Sequence, residues 1–127
     1  MIRLTLPLPY AVYRGKRALL TMNVYRNLHY KASNIAKKAY SQLAWIELRA
    51  HKHTRLKSAK IRYTLYTENS RRIDLSNVLA VVDKFFSDSL VAVGIIEDDS
   101  QKFVKRVEFV YGGVGPERVE IDIEEAA

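Results

Sequence analysis

The chain has 127 residues, of which 48% are hydrophobic, which is enough for the core of one domain and excludes a disordered composition. It contains no cysteine, which excludes a disulfide framework and a thiolate metal site and fits a reducing cytoplasm. The net charge of +7 is uneven: residues 1–72 carry 16 Lys/Arg against 2 Asp/Glu, and residues 73–127 carry 5 against 12. The basic first half therefore suits a polyanion such as a nucleic acid, and a solvated basic face is the plainer alternative.

Ile2 to Pro9 alternates apolar and polar residues and predicts a half-buried strand, which Pro7 and Pro9 place at an edge or end. The apolar run there is too short for a signal peptide, and no stretch approaches the roughly 18 apolar residues of a membrane span. Tyr10 to Tyr30 predicts irregular chain with a short strand near Ala18 to Met22. Ser33 is the expected cap of a helix running to about Ala50, with Ile35, Ala39, Leu43, Ile46 and Ala50 on its buried side and Trp45 in the core. His51 to Lys57 is a basic loop with surface histidines, and Lys60 to Thr67 alternates as a strand.

A second helix fits Leu75 to Val93, because Leu75, Val78, Leu79, Val82, Phe85, Phe86 and Val93 keep a 3.6-residue spacing and Gly94 suits the position after its end. Phe103 to Tyr111 and Arg118 to Ile123 read as strands joined in a hairpin across the glycine cluster at residues 112–115. With no repeat or linker, the expectation is a single α/β (α+β) domain over residues 1–127. It consists of a small mixed β-sheet with two main helices.

The chemistry concentrates between Arg71 and Lys102. Asp74 begins the second helix, so its carboxylate is either an N-cap or a metal ligand, and its two oxygens allow both. Asn77, Lys84 and Asp88 share a polar face of that helix, either as solvated residues or as part of a site. The acidic run Glu97-Asp98-Asp99 follows, as a solvated turn or as hard oxygen ligands for Mg²⁺ or Mn²⁺. Mg²⁺ needs only one or two protein carboxylates when phosphates and water supply the rest. Thr21 to Lys31 offers Tyr25, Arg26 and Lys31 for stacking and phosphate contact, or packs as an ordinary loop. No phosphate-binding glycine loop, nucleophilic triad or zinc spacing is present, and no small-molecule cofactor is expected.

The segment from Arg71 to Gln101 resembles the RusA-type Holliday junction resolvases, small endodeoxyribonucleases of phages and prophages. The likeness rests on Arg71-Arg72-Ile73-Asp74-Leu75-Ser76-Asn77, then Lys84, Asp88, Gly94 and Asp98-Asp99-Ser100-Gln101. It implies a RusA-like fold and a homodimer in the cytoplasm of a bacterial host. It further implies Mg²⁺- or Mn²⁺-dependent nicking of four-way DNA junctions, in recombination and repair. The family's carboxylates map to Asp74 and Asp99, with Asp98 beside the latter as a further metal ligand. Its catalytic lysine maps to Lys84 when counted back from Gly94, and to Ala80 when counted forward from Asp74. On this resemblance Arg71, Arg72, Asn77, Tyr25, Arg26 and Lys31 would grip the DNA. Ser76 stands where the family pattern has a second aspartate. A branched-DNA binder without cleavage and an RNA-binding accessory protein are the alternatives.

Overall fold

The structure is a computed structural model, and it describes residues 1–126. Along the chain run strands β1 (Ile2–Leu6), β2 (Tyr10–Tyr13) and β3 (Lys16–Leu19), helices α1 (Met22–Asn27) and α2 (Tyr30–Leu48), and strand β4 (Ala59–Thr67). Helix α3 (Leu75–Val93) and strands β5 (Val104–Val114) and β6 (Arg118–Glu125) follow. This is a small mixed α+β domain with six strands in two sheets and three helices among the described residues. No helix of the described residues is long and apolar enough to cross a membrane.

The main sheet has the order β1-β6-β4-β5. Period-two patterning sets its register, because inward residues on one strand must face inward residues on the next. Three apolar rows result. They are Ile2, Ile123, Ile61 and Val107; Leu4, Ile121, Tyr63 and Phe109; and Leu6, Val119, Leu65 and Tyr111. Helix α3 covers these rows with Val78, Leu79, Val82, Phe85, Phe86 and Leu90. Strands β4 and β5 are parallel, and α3 is the crossover that a parallel pair requires.

The hairpin expected between the last two strands does not form, because β4 lies between β5 and β6. Strand β5 takes in most of the glycine cluster, and residues 115–117 cross the end of β4, where the Gly115 amide donates to the Thr67 carbonyl at 2.8 Å. The bulge opposite Tyr66 needs Gly112, where a Cβ would lie 2.6 Å from the Tyr66 ring. Tyr10 to Tyr30 is also more ordered than expected. Strands β2 and β3 form a separate hairpin whose turn residues, Arg14 and Gly15, both have positive φ, as a tight primed turn requires.

Helix α2 starts earlier than expected, at Tyr30, and His29 caps it by accepting from the Lys31 amide. Its buried residues are Ala36, Tyr40, Ala44 and Leu48, so the expected face is wrong. Ile35 is 71% exposed, Ile46 50% and Trp45 53%. The cause is packing: α2 lies against α3, and small alanines allow that approach while Tyr40 donates its hydroxyl to the Pro7 carbonyl at 2.8 Å.

Candidate nucleic-acid interface and metal carboxylates

Asp74 caps α3, with its side chain accepting from the Asn77 amide at 3.2 Å. The carboxylate is exposed, and its second oxygen is available to another partner. Asn77 also joins elements, since its Oδ1 accepts from the Asn23 amide in the first turn of α1 at 3.2 Å. That contact fixes the short helix α1 beside the start of α3. Thr21 caps α1, and the Tyr25 ring meets Phe85 edge-on with centroids 5.9 Å apart.

The Lys84 ammonium then lies 6.0 Å from the centre of the Tyr25 ring, so this aromatic and this cation share one surface. Arg26 is the next residue on α1 and is exposed, as are Arg71 and Arg72 on the chain leading into α3. Asp74, Asn77, Lys84, Tyr25 and Arg26 thus belong to the packed pair α1 and α3. Lys31 is exposed in the first turn of α2. Asp88 does not pair with Lys84. It bonds to Lys37 of α2 at 2.7 Å, and this hydrogen bond, with the Asp88 charge adding to it, raises the lysine pKa. Asp83, on the other side of α3, accepts from the buried Tyr63 hydroxyl at 2.7 Å and from Ser87 at 3.1 Å.

Asp98 and Asp99 lie beyond the other end of α3. Gly94 ends the helix in the left-handed conformation, at φ 89°. Ile95 and Ile96 are then buried, and the Ile95 carbonyl accepts from the Leu56 amide just before β4. Asp98 accepts from the Asp99 amide at 2.8 Å. Hydrogen bonds from the Ser100 hydroxyl and this amide hold its carboxyl below the usual range. Arg55 and Lys57 border the adjoining pocket of about 580 Å³ together with Glu97, a neighbourhood of the basic loop and the acidic turn that no local pattern in the chain announces.

The two carboxylate positions are far apart within one chain. Helix α3 has 19 residues. At a rise of about 1.5 Å per residue it places roughly 28 Å between its ends. Strand β4, of 9 residues, runs alongside over a similar length. Ligands of one Mg²⁺ lie about 2.1 Å from it, so Asp74 and Asp99 of the same chain do not share an ion. Among the described residues, no group of three or more His, Asp or Glu side chains converges as a metal site.

Asn23 and Thr21 are the residues that sequence reasoning missed at the Asp74 end. The signal available was the threonine before Met22, a standard helix cap. No family model matches the chain, and no curated protein matches it.

Proposed function

We propose that this chain is a metal-dependent endodeoxyribonuclease of the RusA type that acts on four-way and other branched DNA junctions. The observation that carries the proposal is the surface along the first half of α3, where Lys84 lies about 15 Å along the helix from Asp74. There an exposed carboxylate, Asp74, shares a packed helix pair with Lys84, Tyr25 and Arg26, next to Arg71 and Arg72. In this reading the arginines and Lys31 bind phosphates, Tyr25 stacks on an exposed base at the branch, and Lys84 neutralises charge on the cleaved phosphate.

One chain does not fit one ion between Asp74 and Asp99, so the carboxylates work together only between two protomers. The homodimer is therefore a requirement of the proposal. Asp74 of one chain and Asp99 of its partner, with Asp98 alongside, would hold Mg²⁺ or Mn²⁺. Such an ion, when bound, supplies water activation and charge neutralisation. A two-fold dimer would carry two such sites and nick two strands of a two-fold junction.

The test uses synthetic four-way junctions with Mg²⁺ or Mn²⁺. Symmetric nicks are expected from the natural chain and from neither Asp74→Asn nor Asp99→Asn. Tight junction binding with no cleavage at any metal concentration would remove the nuclease and leave a branched-DNA binder. That second function is favoured by one observation: Ser76, exposed in the first turn of α3, supplies no charge beside Asp74.

A further inference from the structure

The three apolar rows of the sheet end differently at its two edges. At β1 they finish on Ile2, Leu4 and Leu6, all buried. At β5 they finish on Val107, which is 41% exposed, on the partly buried Phe109, and on Tyr111, which is 42% exposed. Strand β1 is short, with 5 residues, and Pro7 follows it closely. Strand β5 has 11 residues, and among the described residues nothing pairs with its outer edge. Natural edge strands of that length are normally covered, or blunted by edge charges, bulges or proline. Strand β5 has Lys105 and a bulge near its start but no proline and no inward charge between Arg106 and Tyr111. Two register shifts bracket a stretch from Arg106 to Tyr111 on β5 that pairs regularly with β4.

The charges on the other face of β5 identify the occupant. Arg106 and Glu108 point to the open face, beside Lys60 and Arg62 of β4. Glu108 sits among Lys60, Arg62 and Arg106; burial works against its charge, but these cations outweigh it and hold its carboxyl low. An antiparallel second copy of β5 centred on Val107 places Arg106 opposite the partner's Glu108, and the reverse, by two-fold symmetry. Centring on Arg106 or Glu108 instead opposes like charges, which is destabilising. Centring on Phe109 sets Glu108 against Val110. The Val107 register also continues an apolar row, from Ile61 through Val107 into the partner's matching pair.

We infer that β5 is the dimer edge of this protein, pairing antiparallel with β5 of a second copy about a two-fold axis at Val107. The two sheets become one continuous sheet of eight strands. Backbone hydrogen bonds supply alignment and the Arg106 and Glu108 pairs fix register, as in other strand-addition interfaces. This inference concerns the dimer alone and survives if the chain proves unable to cut DNA.

The chain has no cysteine, so one introduced thiol reports on one contact. Across the proposed axis the two Cα atoms of residue 107 lie about 4.5–5.5 Å apart, within disulfide reach. Val107→Cys should therefore form a disulfide-linked dimer under mild oxidation, while Ile35→Cys on the exposed face of α2 should not. Val107→Asp sets two carboxylates face to face and should raise the dimer dissociation constant at least tenfold by sedimentation, with an unchanged circular dichroism spectrum. The inference is overturned if the natural chain sediments as a monomer at high concentration. It is overturned equally if the dimer forms but links through Ile35→Cys and not Val107→Cys.

Discussion

Asp74 caps α3, and substitution separates that cap from the proposed metal role. Asparagine caps a helix about as well as aspartate, whereas alanine costs about 1 kcal/mol at such a position. Asp74→Asn should therefore keep the melting temperature of the natural chain while abolishing junction cleavage. Asp74→Ala should lose both, and a variant Asp74→Asn that cuts normally would make Asp74 a cap and nothing more. The buried phenols lead to a prediction of a different kind. Burial raises Tyr63 well above its ordinary value, with the Asp83 charge adding to it, and burial also raises Tyr40. An unfolded tyrosine releases its proton near pH 10, while these two hold theirs in the folded chain. Above that pH the unfolded state binds fewer protons than the folded one, so stability falls as pH rises. Urea midpoints should be level from pH 7 to 9 and drop beyond about pH 10, less steeply in Tyr40→Phe. A midpoint unchanged to pH 11 would contradict the burial of both hydroxyls.

The faces of α2 behave oppositely to their apparent hydrophobicity. Ile46 is half exposed, so Ile46→Ala should change stability by no more than about 0.5 kcal/mol. Ala44 is fully buried, and Ala44→Leu should cost about 1–3 kcal/mol through overpacking. Chemical unfolding of the two variants measures both, and a larger loss for Ile46→Ala would reverse the assigned face. The same contrast explains what could be read from sequence. Helix α3 was legible from end to end because Asp74, Gly94 and an apolar run between them are local signals. The buried face of α2 was not, since its larger apolar residues point outward and alanine alone does not announce a close helix contact. The glycine cluster, read as the turn after the strand, lies mostly inside β5, which runs on to Val114. It carried no information about β4 inserting between β5 and β6, which depends on rows of side chains distant in sequence. The turn at Arg14 and Gly15 escaped notice because arginine is an uncommon residue at positive φ. At the candidate site, the polar strip of α3 was legible from periodicity. The role of Asn77 in seating α1 required the tertiary contact with Asn23.

At the scale of the whole molecule, the length of α3 decides how many chains the proposed metal site would need. In the edge-paired dimer inferred above, the two copies of β5 would run in opposite directions with Val104 opposite the partner's Val110, so the chain before each strand would run toward the end of the partner's. The acidic turn at Asp98 and Asp99 precedes β5, and the segment leading to Asp74 follows β4 at the opposite end. Antiparallel pairing therefore carries the acidic turn of one protomer toward the Asp74 end of the other. Mixing two inactive variants tests whether the carboxylates are shared. When Asp74→Asn and Asp99→Asn chains are unfolded together and refolded in equal amounts, about half of the dimers are mixed by random assortment. In a mixed dimer with shared sites, one site loses both carboxylates and the other retains both. About a quarter of the natural number of sites should then recover, and each mixed dimer should nick a single strand of the junction rather than a symmetric pair. Sites built within one chain would give no recovery, because every chain in the mixture lacks one carboxylate. Restored single-strand nicking thus demands shared carboxylates, and a mixture as inactive as its components would exclude them.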